Sequence, residues 1–360
     1  MSKYWNQRTR ALSPYIPGEQ PRERKFIKLN TNENPYPPSP EVIAAIRNAA
    51  NDDLCLYPDP ECLELRTAIA RRYALTPEQV FVGNGSDEIL AFAFAAFFEN
   101  GAVALPVLFP DITYSFYPVY ARLWGTPFEL VPLRDDFSLS IDDYDRPNGG
   151  VVIANPNAPT GCVLRLEDAR LLVEQQTVYG RIALFDEAYM AFASEPGSLV
   201  GYINEYPNLL TVHTLSKAAS LAGLRVGYAI AHAELIEGLR RVRDSFNSYT
   251  LDRLALAGAT AAIRHSAYYD DCDRRIIATR KRVSTQLAAL GFEFVPSSAN
   301  FIFTRHPAIK GSALFEALRE RGILTRRWDV SRIADYLRVS IGTDADMDAF
   351  LAVCADIACV

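Results

Sequence analysis

No Gly-Lys-Ser or Gly-Lys-Thr triplet occurs anywhere in the 360 residues, so the chain has no P-loop for a nucleoside triphosphate. Histidine is scarce. His213, His232, His265 and His306 fall at no metal-ligand spacing, and no metal is expected. The six cysteines, Cys55, Cys62, Cys162, Cys272, Cys354 and Cys359, include no Cys-x-x-Cys pair. That sets aside zinc ribbons and dithiol redox motifs and leaves buried free thiols in a reducing compartment. The longest apolar run, Ile89 to Phe98, falls far short of the roughly 20 residues that cross a bilayer. The polar, arginine-rich stretch from Met1 to Lys25 has no apolar core of the kind a secretory signal needs. Net charge is −6, with 37 basic and 43 acidic residues interspersed, so no basic patch invites nucleic acid or an anionic membrane surface. The expectation is a cytoplasmic protein with neither as a partner.

What is there suits a globular chain of two or three packed units, 49% hydrophobic and 22% charged. Residues 1–38 carry Pro14, Pro17, Gly18, Pro35, Pro37 and Pro38 and read as an extended arm. Ser39-Pro40-Glu41 supplies an N-cap, a first-turn proline and a first-turn acid, predicting a helix to about Ala50. Thr76-Pro77-Glu78-Gln79 is a capping-box turn into the strand Val80-Phe81-Val82. Short apolar strands then alternate with helices: strands at Ala102–Leu105, Phe128–Val131, Val151–Ala154, Ile182–Phe185, Leu209–Thr214 and Val226–Ile230, with helices near Tyr114–Leu123 and Leu166–Gln176. This alternation predicts an α/β fold, a mostly parallel sheet between helices with its sites at strand ends. From about residue 246 the pattern changes to long helices, Asp252–Ile263 and Tyr268–Leu290, and strands at Ser298–Phe303, Gly322–Arg327 and Tyr336–Gly342. A smaller α+β domain is expected there, giving an arm (1–38), a large domain (39–245) and a small domain (246–360).

Four strand-end motifs carry chemistry. Gly83-Asn84-Gly85-Ser86-Asp87-Glu88 opens the apolar helix; its glycines let a ligand approach the backbone, and the helix start offers free N–H groups to a phosphate. Asn155-Pro156-Asn157-Ala158-Pro159-Thr160-Gly161 is a sharp turn after a strand. Ile182-Ala183-Leu184-Phe185-Asp186-Glu187-Ala188-Tyr189 is an apolar strand ending in two acids, which without a P-loop is no magnesium-binding strand. Thr214-Leu215-Ser216-Lys217-Ala218-Ala219-Ser220 sets one lysine among small residues, with Arg225 further on. Small neighbours leave room beside the amine, and desolvation would lower its pKa, as a carbonyl-attacking lysine requires. Arg326, Arg327 and Arg338 lie on the late strands, and a guanidinium fork suits a carboxylate or a phosphate equally.

Taken together, these motifs resemble the fold type I aminotransferases that use pyridoxal 5'-phosphate, and nearly the whole chain is similar to their histidinol-phosphate branch. The resemblance implies that Lys217 carries the cofactor and acts as the catalytic base and acid. It implies a phosphate pocket of Gly85, Ser86, Asp87, Thr214, Ser216 and Arg225, with Tyr57 entering from the neighbouring subunit of a homodimer. Asp186 would pair with the pyridine nitrogen, Tyr189 would bond the 3'-oxygen and Tyr114 would stack on the ring. The family's turn has an asparagine directly before the second proline; here that residue is Ala158, so the amide would come from Asn157, one position earlier, or from elsewhere. Arg338 would clamp the substrate's anionic group and Arg326 or Arg327 its phosphate, with Tyr15 and Asn32 of the arm along the mouth. The implied partners are a small amino donor and a 2-oxo acid. An aromatic amino acid aminotransferase is the near alternative on the same scaffold, a phosphothreonine decarboxylase a more distant one. A non-catalytic cofactor-binding regulator is the alternative from another class.

Overall fold

The computed structural model describes residues 2–21, 24–101, 103–194 and 197–358. Seven strands form the central sheet, in the order Val80–Gly83, Gly227–Ala231, Leu209–Thr214, Ala183–Asp186, Val151–Ala154, Val107–Pro110 and Phe128–Val131. Pairings are parallel from Leu209–Thr214 to Phe128–Val131, whereas Gly227–Ala231 runs antiparallel to both its neighbours. The reversal has a local cause. No crossover helix separates Leu209–Thr214 from Gly227–Ala231, only a turn with a single 3₁₀ segment at Ala222–Leu224, and a short connection can join only antiparallel neighbours.

Both sheet faces are covered. Along Ala183–Asp186, Ala183 and Phe185 enter one apolar cluster and Leu184 the other; Val151 and Ile153 separate from Val152 and Ala154 in the same way. This is the period-two alternation of a strand buried on both sides. Helix Arg253–Arg264 belongs to the first of these cores through Ala255, Ala259 and Ala262. A second, three-stranded antiparallel sheet orders Leu337–Ser340, Phe301–Arg305 and Glu293–Val295, with helices Ser266–Ala289, Gly311–Glu320 and Asp344–Ala358. The arm returns beside it: Ile27–Lys28 pairs parallel with Ile323–Leu324 in a separate two-stranded sheet, and Ser340 N–H donates to Leu29 O at 2.9 Å.

Several boundaries differ from the sequence expectation. The strand expected at Ala102–Leu105 lies further along, at Val107–Pro110. Ala102 is outside the described residues, Val103 is 99% exposed, and the fully buried run begins only beyond Pro106. The helix expected from Tyr114 starts at Tyr117, leaving Tyr114 in the loop before it. The arm contains a short helix, Gln7–Ala11, because the Asn6 side chain accepts from Thr9 N–H as an N-cap. The strand expected from Ser298 begins at Phe301, since Ser297 Oγ takes up Ala299 N–H and Phe301 O in a turn. Ser39 caps Pro40–Ala49, and the capping box at Thr76–Gln79 is formed, as expected.

Candidate active site

The sheet topology brings the four motifs together. Register pairs Thr214 with Gly227 and Gly83 with Gly227, so the lysine turn and the glycine turn leave strands on either side of Gly227–Ala231 at the same level. In the neighbouring pairings, Asp186 stands between Ala154 and Val212. A cavity of about 150 Å³ opens over these strand ends, the size that admits a six-membered aromatic ring. Its lining includes Ser86, Asp87, Tyr114, Asp186, Tyr189, Thr214, Ser216, Lys217, Arg225, Arg326 and Arg338, with Tyr15 and Asn32 from the arm.

Lys217 Nζ donates to Thr31 O at 2.9 Å and has no carboxylate partner among the described residues. Burial, reinforced by the positive charge of Arg338, brings its pKa down to about 8. Asn34 Nδ2 donates to the carbonyls of Lys217 and Ala218, at 3.1 Å each, so the arm fixes both ends of the lysine. Asp186 is buried, and desolvation pushes its pKa up to about 6, against the opposing pull of two donors. Those donors are Tyr117 Oη on Oδ2 at 3.0 Å and Ala188 N–H on Oδ1 at 3.2 Å. Tyr189 is half-buried and its phenol is held high by desolvation; its Oη accepts from Asn32 Nδ2 at 3.0 Å.

The anion cradle is set by two glycines. Gly85 adopts φ +78°, and a Cβ there would stand 2.6 Å from Arg225 Nη2. A Cβ on Gly227 would stand 2.5 Å from Ser86 N and 2.6 Å from Gly85 C, backbone that leaves no room for a side chain, whereas at Gly85 it is the positive φ and the neighbouring guanidinium that favour glycine. Around the first turn of helix Gly85–Phe97, Arg225 Nη1 donates to Ser216 Oγ at 3.3 Å and Nη2 to Asp87 Oδ2 at 3.1 Å. Thr214 Oγ1 accepts from Ser216 N–H at 3.1 Å. Asp87 Oδ1 accepts from Tyr114 Oη at 2.8 Å, which orients that ring at the cavity edge.

Arg338 and Arg326 are the remaining cations of the lining. Arg338 Nη2 donates to Asn30 O at 2.9 Å, while its Nε is buried without a partner. Arg326 donates to Ile16 O and Pro17 O at 3.0 and 3.3 Å. Neither has a carboxylate partner among the described residues, the condition under which a pair of guanidiniums binds an anion. Tyr15 stacks on Phe116 with ring centroids 4.3 Å apart, forming an aromatic wall.

Three expected residues lie elsewhere. Arg327 points away and donates to Ala334 O and to Asp329, because successive side chains of an extended segment face opposite ways. Asn157 does not line the cavity. Its Nδ2 donates to Ile112 O and Thr160 Oγ1, at 2.9 and 3.0 Å, and its Oδ1 accepts from Thr113 Oγ1 at 2.8 Å. The lining residue of that turn is Ala158. Tyr57 is 79% exposed, stacked on Tyr249 and outside this chain's own cavity. Sequence reasoning had no means of selecting Tyr117 or Gly227. Tyr117 stands among Tyr114 and Tyr120 with nothing to distinguish it, and Gly227 matters only through its register with Gly83.

The description "Aminotransferase class I and II" matches residues 24–353. The chain is 53% identical over 351 residues to the histidinol-phosphate aminotransferase of Clostridium acetobutylicum, which covers 98% of both chains. It is 52% identical over 359 residues to that of Acetobacter pasteurianus, covering 100% of this chain and 99% of the relative. Among solved structures, histidinol-phosphate aminotransferase from Sinorhizobium meliloti in complex with pyridoxal-5'-phosphate superposes with a TM-score of 0.88. It is 25% identical, covering 99% of this chain and 98% of that one. With likeness of this extent joined to a half-buried, desolvated lysine, a buried strand-end acid and a glycine-floored anion cradle, the chain belongs to the class I and II aminotransferase family.

Proposed function

We propose that this protein is a pyridoxal 5'-phosphate-dependent histidinol-phosphate aminotransferase, passing an amino group between L-histidinol phosphate and 2-oxoglutarate, as a cytoplasmic homodimer. The cavity fits the cofactor because Gly85 and Gly227 keep the start of the helix clear of side chains, and Ser86, Thr214, Ser216 and Arg225 line it there, where they would hold a phosphate. Asp186 would take the ring nitrogen, Tyr189 the phenolic oxygen and Tyr114 the ring face. When bound, the cofactor supplies an electron-withdrawing ring that stabilises negative charge at the donor's α-carbon.

Lys217 moves the proton. With its pKa at about 8, about a tenth of the amine is neutral at pH 7, against about one in a few thousand for an unperturbed lysine. A neutral amine beside the donor's α-carbon can accept its proton, and a base positioned this way contributes on the order of 10²–10⁴ in rate. A buried Asp186 gains most from ionising when a cation faces it, so it holds the ring nitrogen protonated. Arg326 and Arg338 would bind the donor's phosphate, and Arg338 the carboxylate of 2-oxoglutarate in the return half-reaction. Tyr57, exposed and stacked on Tyr249, would reach the phosphate of the partner subunit. In this scheme the arm (1–38) borders the mouth between the large (39–245) and small (246–360) domains.

The observation that carries the substrate assignment is the pair Arg326 and Arg338, two guanidiniums in the cavity that holds Lys217 with no acid partner among the described residues. The test is steady-state turnover of L-histidinol phosphate with 2-oxoglutarate, compared with L-phenylalanine. A kcat/KM for the phosphate donor at least about tenfold above that for phenylalanine supports the assignment, since a site built for a phosphate leaves its cations unpaired without one. The reverse order supports an aromatic amino acid aminotransferase, a reading favoured by the wall of Tyr15, Phe116 and Tyr114.

A further inference from the structure

Arg326 and Arg338 face each other directly across an isolated antiparallel bridge. Arg326 N–H donates to Arg338 O at 3.0 Å, and Arg338 N–H donates to Arg326 O at 2.8 Å. Residues paired in this way send their side chains to the same face, where like charges repel. No carboxylate among the described residues separates them. An aromatic ring does meet both. Trp328 is two residues on from Arg326, hence on the same side of the extended chain, and the guanidinium carbons of Arg326 and Arg338 lie 5.6 and 5.3 Å from its ring centroid. The indole is itself anchored. It packs on a cluster drawn from both domains, Ile112, Leu133 and Phe137 on one side and Val295, Phe303 and Ile333 on the other. Arg327, the residue between, turns outward and takes no part.

We propose that Trp328 is the positioning residue of the anion clamp. Its ring holds two mutually repelling guanidiniums together and aimed into the cavity, and so sets the preference for a phosphate-bearing amino donor over its dephosphorylated counterpart. The inference rests on the histidinol-phosphate reading above for its substrate, and on the bridge and ring geometry for its mechanism. Two cation–π contacts at a partly desolvated site convert to about a tenfold effect on anion affinity.

The experiment compares holoenzymes carrying Trp328→Leu, which keeps bulk against Phe137 and Phe303 but has no π face, and Trp328→Phe, which keeps one. The KM for L-histidinol phosphate should rise about tenfold in Trp328→Leu, with kcat within about twofold of wild type. L-Histidinol, which lacks the phosphate, should lose far less in kcat/KM, and Trp328→Phe should recover most of the loss. Equal losses for both donors, an unchanged KM, or a phenylalanine variant as impaired as the leucine variant would each overturn the proposal. Calorimetric titration of the holoenzymes with inorganic phosphate reads the clamp without turnover, and Trp328→Leu should bind it about tenfold more weakly. If the wild type fails to transaminate L-histidinol phosphate, the substrate assignment falls while these phosphate affinities still decide the role of Trp328. Should Trp328→Leu not fold, Trp328→Met replaces it under the same criteria.

Discussion

Tyr117→Phe removes a single oxygen from a fully buried side chain, yet it should weaken cofactor binding strongly. Tyr117 Oη donates to Asp186 Oδ2 at 3.0 Å, and among the described residues the only other donor on that carboxylate is Ala188 N–H at 3.2 Å. A hydrogen bond to a charged group is worth about 1.5–3 kcal/mol net, so its loss raises the Asp186 pKa by a further ~1–2. Starting from about 6, the carboxyl would then be protonated at neutral pH whenever no cation faces it. Because the bound cofactor needs the carboxylate form, the same energy appears as cofactor affinity lower by about 10- to 150-fold. The pH dependence carries a second signature. Asp186 has a pKa above its ordinary value, so between about pH 4 and 6 the folded cofactor-free chain binds a proton that the unfolded chain releases. Its contribution to stability is complete below about pH 4 and is lost as pH rises through about 6, a change of about 3 kcal/mol. In Tyr117→Phe the loss should continue to higher pH. Equilibrium dialysis of the cofactor, read by its visible absorbance, and urea melts of the cofactor-free protein from pH 4 to 8 check both. Cofactor affinity within twofold of wild type, together with an unchanged stability profile, would refute the reasoning.

The cofactor-reloading rate of the cofactor-free protein should rise with pH with an inflection near 8, following Lys217; an inflection near 10 would return that amine to an ordinary lysine. Lys217→Ala should reduce turnover by at least about 10²-fold, and a variant turning over at near wild-type rate would remove the lysine from the chemistry. Arg326→Ala should raise the KM for L-histidinol phosphate about tenfold, whereas Arg327→Ala, whose side chain turns outward, should change it less than about twofold. Equal effects of the two would mean the bridge register has been misread. Gly227→Ala drives a Cβ to 2.5 Å from Ser86 N, backbone that has no rotamer to yield. It should cost most of the cofactor affinity and lower the thermal midpoint, and full cofactor retention at an unchanged midpoint would count against the cradle.

The sequence by itself determined the strand-end chemistry. A lysine among small residues, an acid closing an apolar strand and a glycine turn opening a helix are each local features, and local composition sets backbone freedom and desolvation. It also determined the mostly parallel sheet, because buried apolar strands alternating with helices have few other ways to cover both faces. Tertiary structure alone decided what depends on register and direction. Arg326 rather than Arg327 reaches the cavity because side-chain direction alternates along extended chain and the bridge to Arg338 fixes the phase. Asn157 turned into the wall because Ile112, Thr113 and Thr160, separated from it by up to 45 residues, offer partners for every one of its polar atoms shown bonded. Tyr117 was selected from three similar tyrosines only by the start of its helix, which puts its hydroxyl on Asp186. The role proposed for Trp328 depends on the bridge that sets Arg326 and Arg338 face to face, since charge repulsion and its relief are properties of spatial neighbours and leave no pattern in a single stretch of chain.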